Sequence, residues 1–284
     1  MYVIAGITGN TGSAAAEALL AGGHEVRGLT RSVAKAEAWS GRADLVELDL
    51  SDAGALTEAL RGAEGAYLLI PPSWTTPDYF AYAQPMIDAI GTAVRASEVP
   101  RVVILSSVGA QHATGNGPIA VLHRLEVALR GVPGVTFLRP AYFHENLAGS
   151  LASAGEGTLP VFVDPNFSLP MVAARDIGHE AARQLRVPAE EASPVVQLAG
   201  SEDYTFTAVG AALAAALGRE VAVLPLPSDA IIEPLRELGA GHIAELYAEM
   251  NRGMESGIVD FEPGLPKVRG ATPLSHTLAE LTAS

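Results

Sequence analysis

From its second residue the chain alternates between short apolar runs and longer stretches with apolar residues three and four apart. The run YVIAG is followed by a helical pattern from about Ser13 to Ala21. HEVRGLT reads as a second strand and ADLVELD as a third. A helix follows from Asp52 to Leu60, which the Asp52 carboxylate can cap, with Glu58 on its outer face. GAYLLI is a fourth strand, stopped by Pro71-Pro72, which cannot donate to a sheet ladder. A long helical pattern runs from about Asp78 to Ala96, and RVVILSS is the fifth strand. IAVLHRLEVALR places Ile119, Leu122, Leu125 and Leu129 on one helical stripe, and VTFLRP is the sixth strand.

The strands are continuous Val/Ile/Leu runs. A parallel sheet covered by helices on both faces has that pattern. Six strand–helix alternations over residues 1–140 predict an α/β fold with a doubly wound parallel sheet, the Rossmann architecture. Past Pro140 the segments shorten and prolines recur. AARDIGHEAARQL and TFTAVGAALAAALG remain clear helices, the second ended by Gly218. Two more helices follow, with a break near Gly239 and Gly241. Residues 141–284 are therefore expected to form a smaller, mixed C-terminal subdomain packed over the strand ends of the first.

Composition narrows the chemistry. The chain has 284 residues, long enough to bury a core without staples. It has no cysteine, which excludes disulfides, thiol nucleophiles and Cys-ligated metals. The formal net charge of −14 disfavours direct binding of nucleic acid or anionic membrane. No apolar run approaches the ~20 residues a bilayer span needs. No basic stretch precedes the first apolar run, so no secretory leader is expected and the cytoplasm is the expected setting. The histidines at 24, 112, 179, 242 and 276 lack metal-ligand spacing, and no metal site is expected.

The first strand opens into Gly6, Gly9 and Gly12, with a helix behind them. Strand, glycine turn and helix are the context of a dinucleotide-binding turn, here spaced G-x-x-G-x-x-G. One glycine permits the turn, another lets backbone approach a pyrophosphate, and a third lets helix and strand pack closely. The helix N-terminus offers free N–H groups and partial positive charge to the anion. Asn10 and Thr11 can add side-chain donors.

An acidic residue at the end of the second strand would bind the ribose hydroxyls of NAD. The sequence there is LTRSVAK. Arg31 is placed to engage a 2′-phosphate, with Lys35 one turn further on, which favours NADP(H) over NAD(H). Asp49 ends the third strand. It can accept from an adenine amino group, with Leu50 against the ring, or it is a turn residue.

IAGITGNTG, LTRSVAK, LDLSD, YLLIPP, RVVILSS and FLRPAYFHENL, in this order, resemble the NmrA-like group of atypical short-chain dehydrogenases/reductases. The likeness continues into ARDIGHEAARQL and ALGREVAVLPLP, so it covers most of the chain. It implies that residues 1–140 bind NAD(P) and that residues 141–284 form the substrate cleft. Gly6, Thr8, Gly9, Asn10, Thr11 and Gly12 would hold the pyrophosphate, Arg31 the 2′-phosphate, and Asp49 and Leu50 the adenine. Ile70 and Pro71 would pass the ribose, Ser106 and Ser107 would lie near the nicotinamide, and Tyr142 and Phe143, after Pro140 and Ala141, would close over it.

One departure bears on catalysis. Short-chain dehydrogenases typically pair a Tyr proton donor with a Lys on one helix. The corresponding helix here has neither. Leu122 stands where some members of the group keep a lysine, and His123 is adjacent. His123 and Tyr142 are the candidate catalytic groups, with His123 alternatively a helix–sheet contact. Ser107, Val108, His123 and His144 are the candidate substrate contacts. Asn146 is expected to cap the next helix, Arg139 to brace the closing loop, and Arg175 and Asp176 to form a structural pair. Phe162, Phe167 and Met171 either line an apolar pocket or complete the core.

The expected function is hydride transfer from NADPH to a small apolar acceptor such as a quinone. The competing expectation is a redox sensor that binds NADP(H) and acts through a protein partner. A homodimer is also compatible with either. Sugar-nucleotide isomerase or lyase chemistry ranks last, because nothing in the chain points to such a pocket.

Overall fold

The structure is a computed structural model and describes residues 1–283. Its elements follow the alternation: β1 (Tyr2–Ala5), α1 (Asn10–Ala21), β2 (Val26–Thr30), β3 (Asp44–Glu47), α2 (Ala53–Leu60), β4 (Gly65–Leu68), α3 (Tyr79–Ser97), β5 (Val102–Leu105), α4 (Ala120–Leu129) and β6 (Val135–Pro140). Every pairing among these strands is parallel. Val3, Ile4, Tyr67, Leu68, Val103 and Ile104 are fully buried, because helices cover both faces. The caps follow the sequence. Asp52 Oδ1 accepts from the Ala55 amide at 2.9 Å, and Asp78 Oδ1 accepts from the Phe80 and Ala81 amides.

The remaining elements are β7 (Tyr142–Phe143), α5 (Leu151–Gly155), β8 (Thr158–Val161), β9 (Leu169–Val172), α6 (Ala174–Leu185), β10 (Val195–Ala199), β11 (Asp203–Tyr204), α7 (Phe206–Leu217), β12 (Ala222–Pro225), α8 (Ile232–Glu237), α9 (Ile243–Glu255), β13 (Lys267–Arg269) and α10 (Leu274–Ala283). Two of them return to the large sheet. β10 pairs with β6, and β13 with β10, both in parallel. The sheet therefore has eight strands, in the order β13-β10-β6-β5-β4-β1-β2-β3. β7, β9 and β11 form one small sheet, and β8 and β12 another. The large sheet thus draws two of its strands from beyond residue 140.

Strand order reverses between β1 and β4. The connections leaving these two strands run to opposite sides, which opens a crevice at their carboxyl ends. Helix α9 reaches the same end of the sheet. Its Glu249 Oε1 accepts from the Gly115 amide, in the β5–α4 loop, at 2.7 Å. At the start of the same segment, the Gly241 amide donates to the Trp74 carbonyl, in the β4–α3 loop, at 3.2 Å. The α9 segment therefore spans two neighbouring strand-end loops.

Candidate functional site

The glycine turn forms the first turn of α1, so the helix starts at Asn10, earlier than its apolar period indicates. Gly6 has φ +63°, a left-handed conformation. A Cβ on Gly12 would lie 2.2 Å from the Gly6 carbonyl oxygen, so only glycine lets helix and strand approach this closely. Gly9 is the N-cap and supplies no side chain to cap the helix, which leaves the amides of its first turn free. Thr8, Gly9 and Asn10 are exposed. Thr11 is buried, and its hydroxyl accepts from Tyr67 Oη at 2.9 Å. Thr11 therefore ties the turn to β4, and Tyr67 is a supporting residue that its apolar run did not single out.

Arg31 and Lys35 are both exposed. Arg31 is the residue directly after β2, and Asp49 lies just past β3. Asp49 Oδ1 accepts from the Ser51 amide at 2.8 Å and from its hydroxyl at 2.7 Å, so Asp49 does form a turn. Those two bonds, and then the Arg31 charge, hold its carboxyl below the usual carboxylate range. Leu50 is half-buried and Ile70 buried. The Pro71 carbonyl accepts from Tyr82 Oη at 3.3 Å. The Tyr82 hydroxyl feels the charges of both Arg31 and Asp49. Strand ends far apart in sequence thus meet around one tyrosine.

Beyond Tyr82 a row of aromatic residues continues along the crevice. Tyr79 and Tyr82 stack with ring centres 6.1 Å apart. Trp74 stacks on Tyr247, on α9, with ring centres 4.9 Å apart. Burial pushes the Tyr79 and Tyr142 hydroxyls up to about 12, so both stay protonated at neutral pH. Of this row only Tyr142 was a sequence candidate. The others lie on the starts and faces of helices, where an aromatic residue has the same spacing as a core residue.

The strand ends β5 and β6 complete this region. Ser106 is buried, and its hydroxyl donates to Glu126 Oε1 at 2.6 Å. Arg139 donates to both oxygens of Glu126, at 2.8 and 2.6 Å, and to Glu262 at 2.6 Å. The guanidinium fork therefore joins β6 to α4 and to the segment before β13. Side-chain contact from Ser106 is committed to this network. Ser107 is half-buried and Val108 buried. His123 is half-buried, with Nδ1 2.8 Å from the Ala110 carbonyl. A carbonyl only accepts, so Nδ1 carries the proton and Nε2 is left for a ligand.

Several expectations are revised. His144 is fully buried, its Nδ1 3.1 Å from the Thr277 hydroxyl and its ring against Tyr204. It supports the closing loop from behind and is not placed to touch substrate. Burial pushes its imidazole down to about 4. Phe143 is half-buried and pairs with Val172 across the small sheet. Asn146 lies inside a short 3₁₀ turn, so it caps no helix. Arg175 and Asp176 do not pair, since adjacent helical positions point apart. Arg175 bonds Glu280 at 2.6 Å, and Asp176 accepts from the Thr272 amide and hydroxyl. Met171 is fully buried in the core, while Phe162 and Phe167 are half-buried. Among the described residues no group of side chains could hold a metal ion, and no helix is long and apolar enough to cross a membrane.

A glycine turn at a switch point of a parallel sheet defines a Rossmann-type α/β protein. The NmrA-like family model matches residues 2–260, and the chain belongs to this family. Among solved structures it is similar to the NADPH-dependent quinone oxidoreductase QOR2 of Escherichia coli complexed with NADPH. The TM-score is 0.80 at 22% identity, over 99% of this chain and 100% of the other. It is also similar to the triphenylmethane reductase of Citrobacter sp. complexed with NADP(H), at TM-score 0.77 and 19% identity, over 99% of each chain. A nucleoside-diphosphate-sugar epimerase of Staphylococcus aureus aligns at TM-score 0.74 and 19% identity, over 98% of this chain and 95% of the other. No curated protein matches the sequence.

Proposed function

We propose that the protein is an NADPH-dependent reductase of a small apolar acceptor, with a quinone as the favoured class. Family membership and the reductases among its structural neighbours support this. One observation carries it: the turn, Arg31, Asp49, Pro71, Ser107 and Tyr142 all follow the carboxyl ends of parallel strands and flank one switch point. The free amides of α1 and the cradle at Gly9 suit a pyrophosphate. Arg31 suits a 2′-phosphate, with Lys35 adding charge. Asp49 and Leu50 would take the adenine, and Ile70 and Pro71 the ribose.

NADPH, once bound, supplies a hydride. Ser107, Val108 and His123 would position the acceptor under Tyr142 and Phe143. The Tyr142 hydroxyl, kept protonated by burial, would be the donor of the site. His123 Nε2, with the ring proton on Nδ1, would offer a hydrogen-bond acceptor. Residues 1–140 would hold the nucleotide, and residues 141–284 would close the cleft, with β10 and β13 shared.

The absence of Tyr and Lys from α4 also supports the sensor reading, so the test separates the two. Purified protein is given NADPH with quinones, enals, imines and a triphenylmethane dye. Turnover of a quinone with NADPH, and binding of NADPH at least tenfold tighter than NADH, is the expected result. Binding without turnover of any acceptor, with NADP⁺ and NADPH distinguished by affinity, would establish the sensor.

A further inference from the structure

None of the residues proposed above to hold nucleotide or acceptor lines the cavity of about 440 Å³ between α4, β6 and the segment before β10. Its floor is apolar. Val135 and Phe137 alternate along β6 and so share one face, and Leu129 and Val195 meet it from α4 and β10. Its charged groups are unbalanced. Arg101, Arg130 and Arg139 line it against Glu126 and Glu262, three positive charges to two negative, in a chain whose formal total is −14. An apolar cavity with a few charged groups is the general form of a small-molecule site.

Both glutamates are already committed. Arg139 is bonded to Glu126 and to Glu262, at 2.6 Å each. Arg101 and Arg130 are left without a carboxylate partner among the described residues. Arg101 is 5% exposed. Its Nη1 donates to the Gly134 carbonyl at 2.8 Å, and its Nη2 to the Gln184 carbonyl at 2.9 Å and the Thr136 hydroxyl at 3.2 Å. Its Nε is buried with no partner. The guanidinium therefore has donors to spare. Burial lowers its pKa, and no carboxylate opposes that. Arg130 stands at the C-cap of α4, exposed, with its side chain unpaired among the described residues. A cation at a helix C-terminus offsets the helix dipole. That accounts for Arg130 alone and leaves the buried charge of Arg101 and the apolar floor unexplained.

We propose that this cavity binds a small amphipathic monocarboxylate, with Arg101 and Arg130 supplying the charge and Val135 and Phe137 the apolar contact. Hydrogen bonds from a guanidinium to a carboxylate are charge-assisted, roughly twice as strong as neutral ones. The two glutamates on the same walls repel a dianion, so the ligand carries a single negative charge. Its apolar ring or chain lies on the floor of β6, where it removes partly covered apolar surface from water. The site is separate from the crevice, and its occupancy requires no turnover of NADPH.

The probe is 2-naphthoate, with 2-naphthalenemethanol as its uncharged counterpart, titrated into the full chain by calorimetry at neutral pH. The expected result is a Kd for naphthoate below about 1 mM, and about tenfold or more below that of the alcohol. Arg130→Gln changes an exposed, unpaired side chain and should leave the fold intact. It should weaken naphthoate about fivefold or more and the alcohol by less than about twofold. Ala192 is half-buried on the cavity wall, and Ala192→Trp should fill the space and remove naphthoate binding. Thermal melting reports whether each variant is folded. Excess NADPH should leave the naphthoate Kd within about twofold, because the two sites do not overlap. No binding by the wild type, equal affinity for acid and alcohol, or an affinity unchanged by Arg130→Gln would overturn the proposal. So would full binding by a folded Ala192→Trp, or displacement of naphthoate by NADPH, either of which would put the probe elsewhere.

Discussion

The two ends of the crevice are built in opposite ways. The proposed phosphate end is one stretch of chain, residues 6–12, and what it offers is the free backbone amides of a helix start. The proposed acceptor end would draw on residues 106–108, 123 and 142, side chains on three separate elements or loops. A backbone site needs only small residues and a helix start, so its specification is local. A side-chain site depends on every packing contact that brings distant elements together.

The comparison breaks first at Gly12. Gly12→Ala drives a methyl group into the Gly6 carbonyl, 2.2 Å away, with backbone on both sides. The expected outcome is a loss of roughly 3 kcal/mol or more in urea unfolding, or no folded protein, together with lost NADPH binding. A variant with normal stability and normal NADPH affinity would mean that the turn is not the tight junction described.

At the acceptor end the corresponding weakness is His144, buried behind the closing loop. Its folded-state value of about 4 lies below the ordinary histidine value near 6.5. Between those values the unfolded chain binds the proton more readily, so stability is full above about pH 6.5 and falls as pH drops toward 4. The slope attributable to this group is roughly 1.4 kcal/mol per pH unit. Urea midpoints measured from pH 7 to 4 should decline less steeply for His144→Asn than for wild type. Parallel curves would assign the acid sensitivity to other groups.

Arg31 sharpens the contrast with a smaller effect. Arg31→Ala should weaken NADPH binding by about 10- to 100-fold and leave NADH within about twofold, read by nucleotide fluorescence titration. An equal loss for both nucleotides would place Arg31 outside the 2′-phosphate contact.

The same contrast explains what was legible in the sequence. Each strand and helix of the first 140 residues follows from its apolar period, because burial on two faces writes continuous runs into parallel strands. The turn is legible because glycine identity carries its geometry. Arg31 and Asp49 are legible because they stand next to strand ends. Tyr79, Tyr82 and Tyr247 are not, since a tyrosine facing a cleft and one facing a core occupy the same helical positions. β10 and β13 were missed as extensions of the sheet, because the pairings β10 with β6 and β13 with β10 each span more than 50 residues of chain and leave no local trace. His144 and Tyr142 are two residues apart, yet one is fully buried and the other half-buried. On an extended strand the two would share a face; the chain leaves β7 after Phe143 and turns into a 3₁₀ segment at His144, and the partners that hold the histidine, Thr277 and Tyr204, lie far downstream.

The central claim is that the local phosphate end and the assembled acceptor end serve one reaction. The most direct test is a single-turnover experiment with stoichiometric enzyme, NADPH deuterated at the transferable position, and 1,4-naphthoquinone. The account predicts loss of NADPH absorbance matched one-to-one by hydroquinone, with a primary isotope effect on that step. NADPH bound tightly but unconsumed by this and every other acceptor would contradict it.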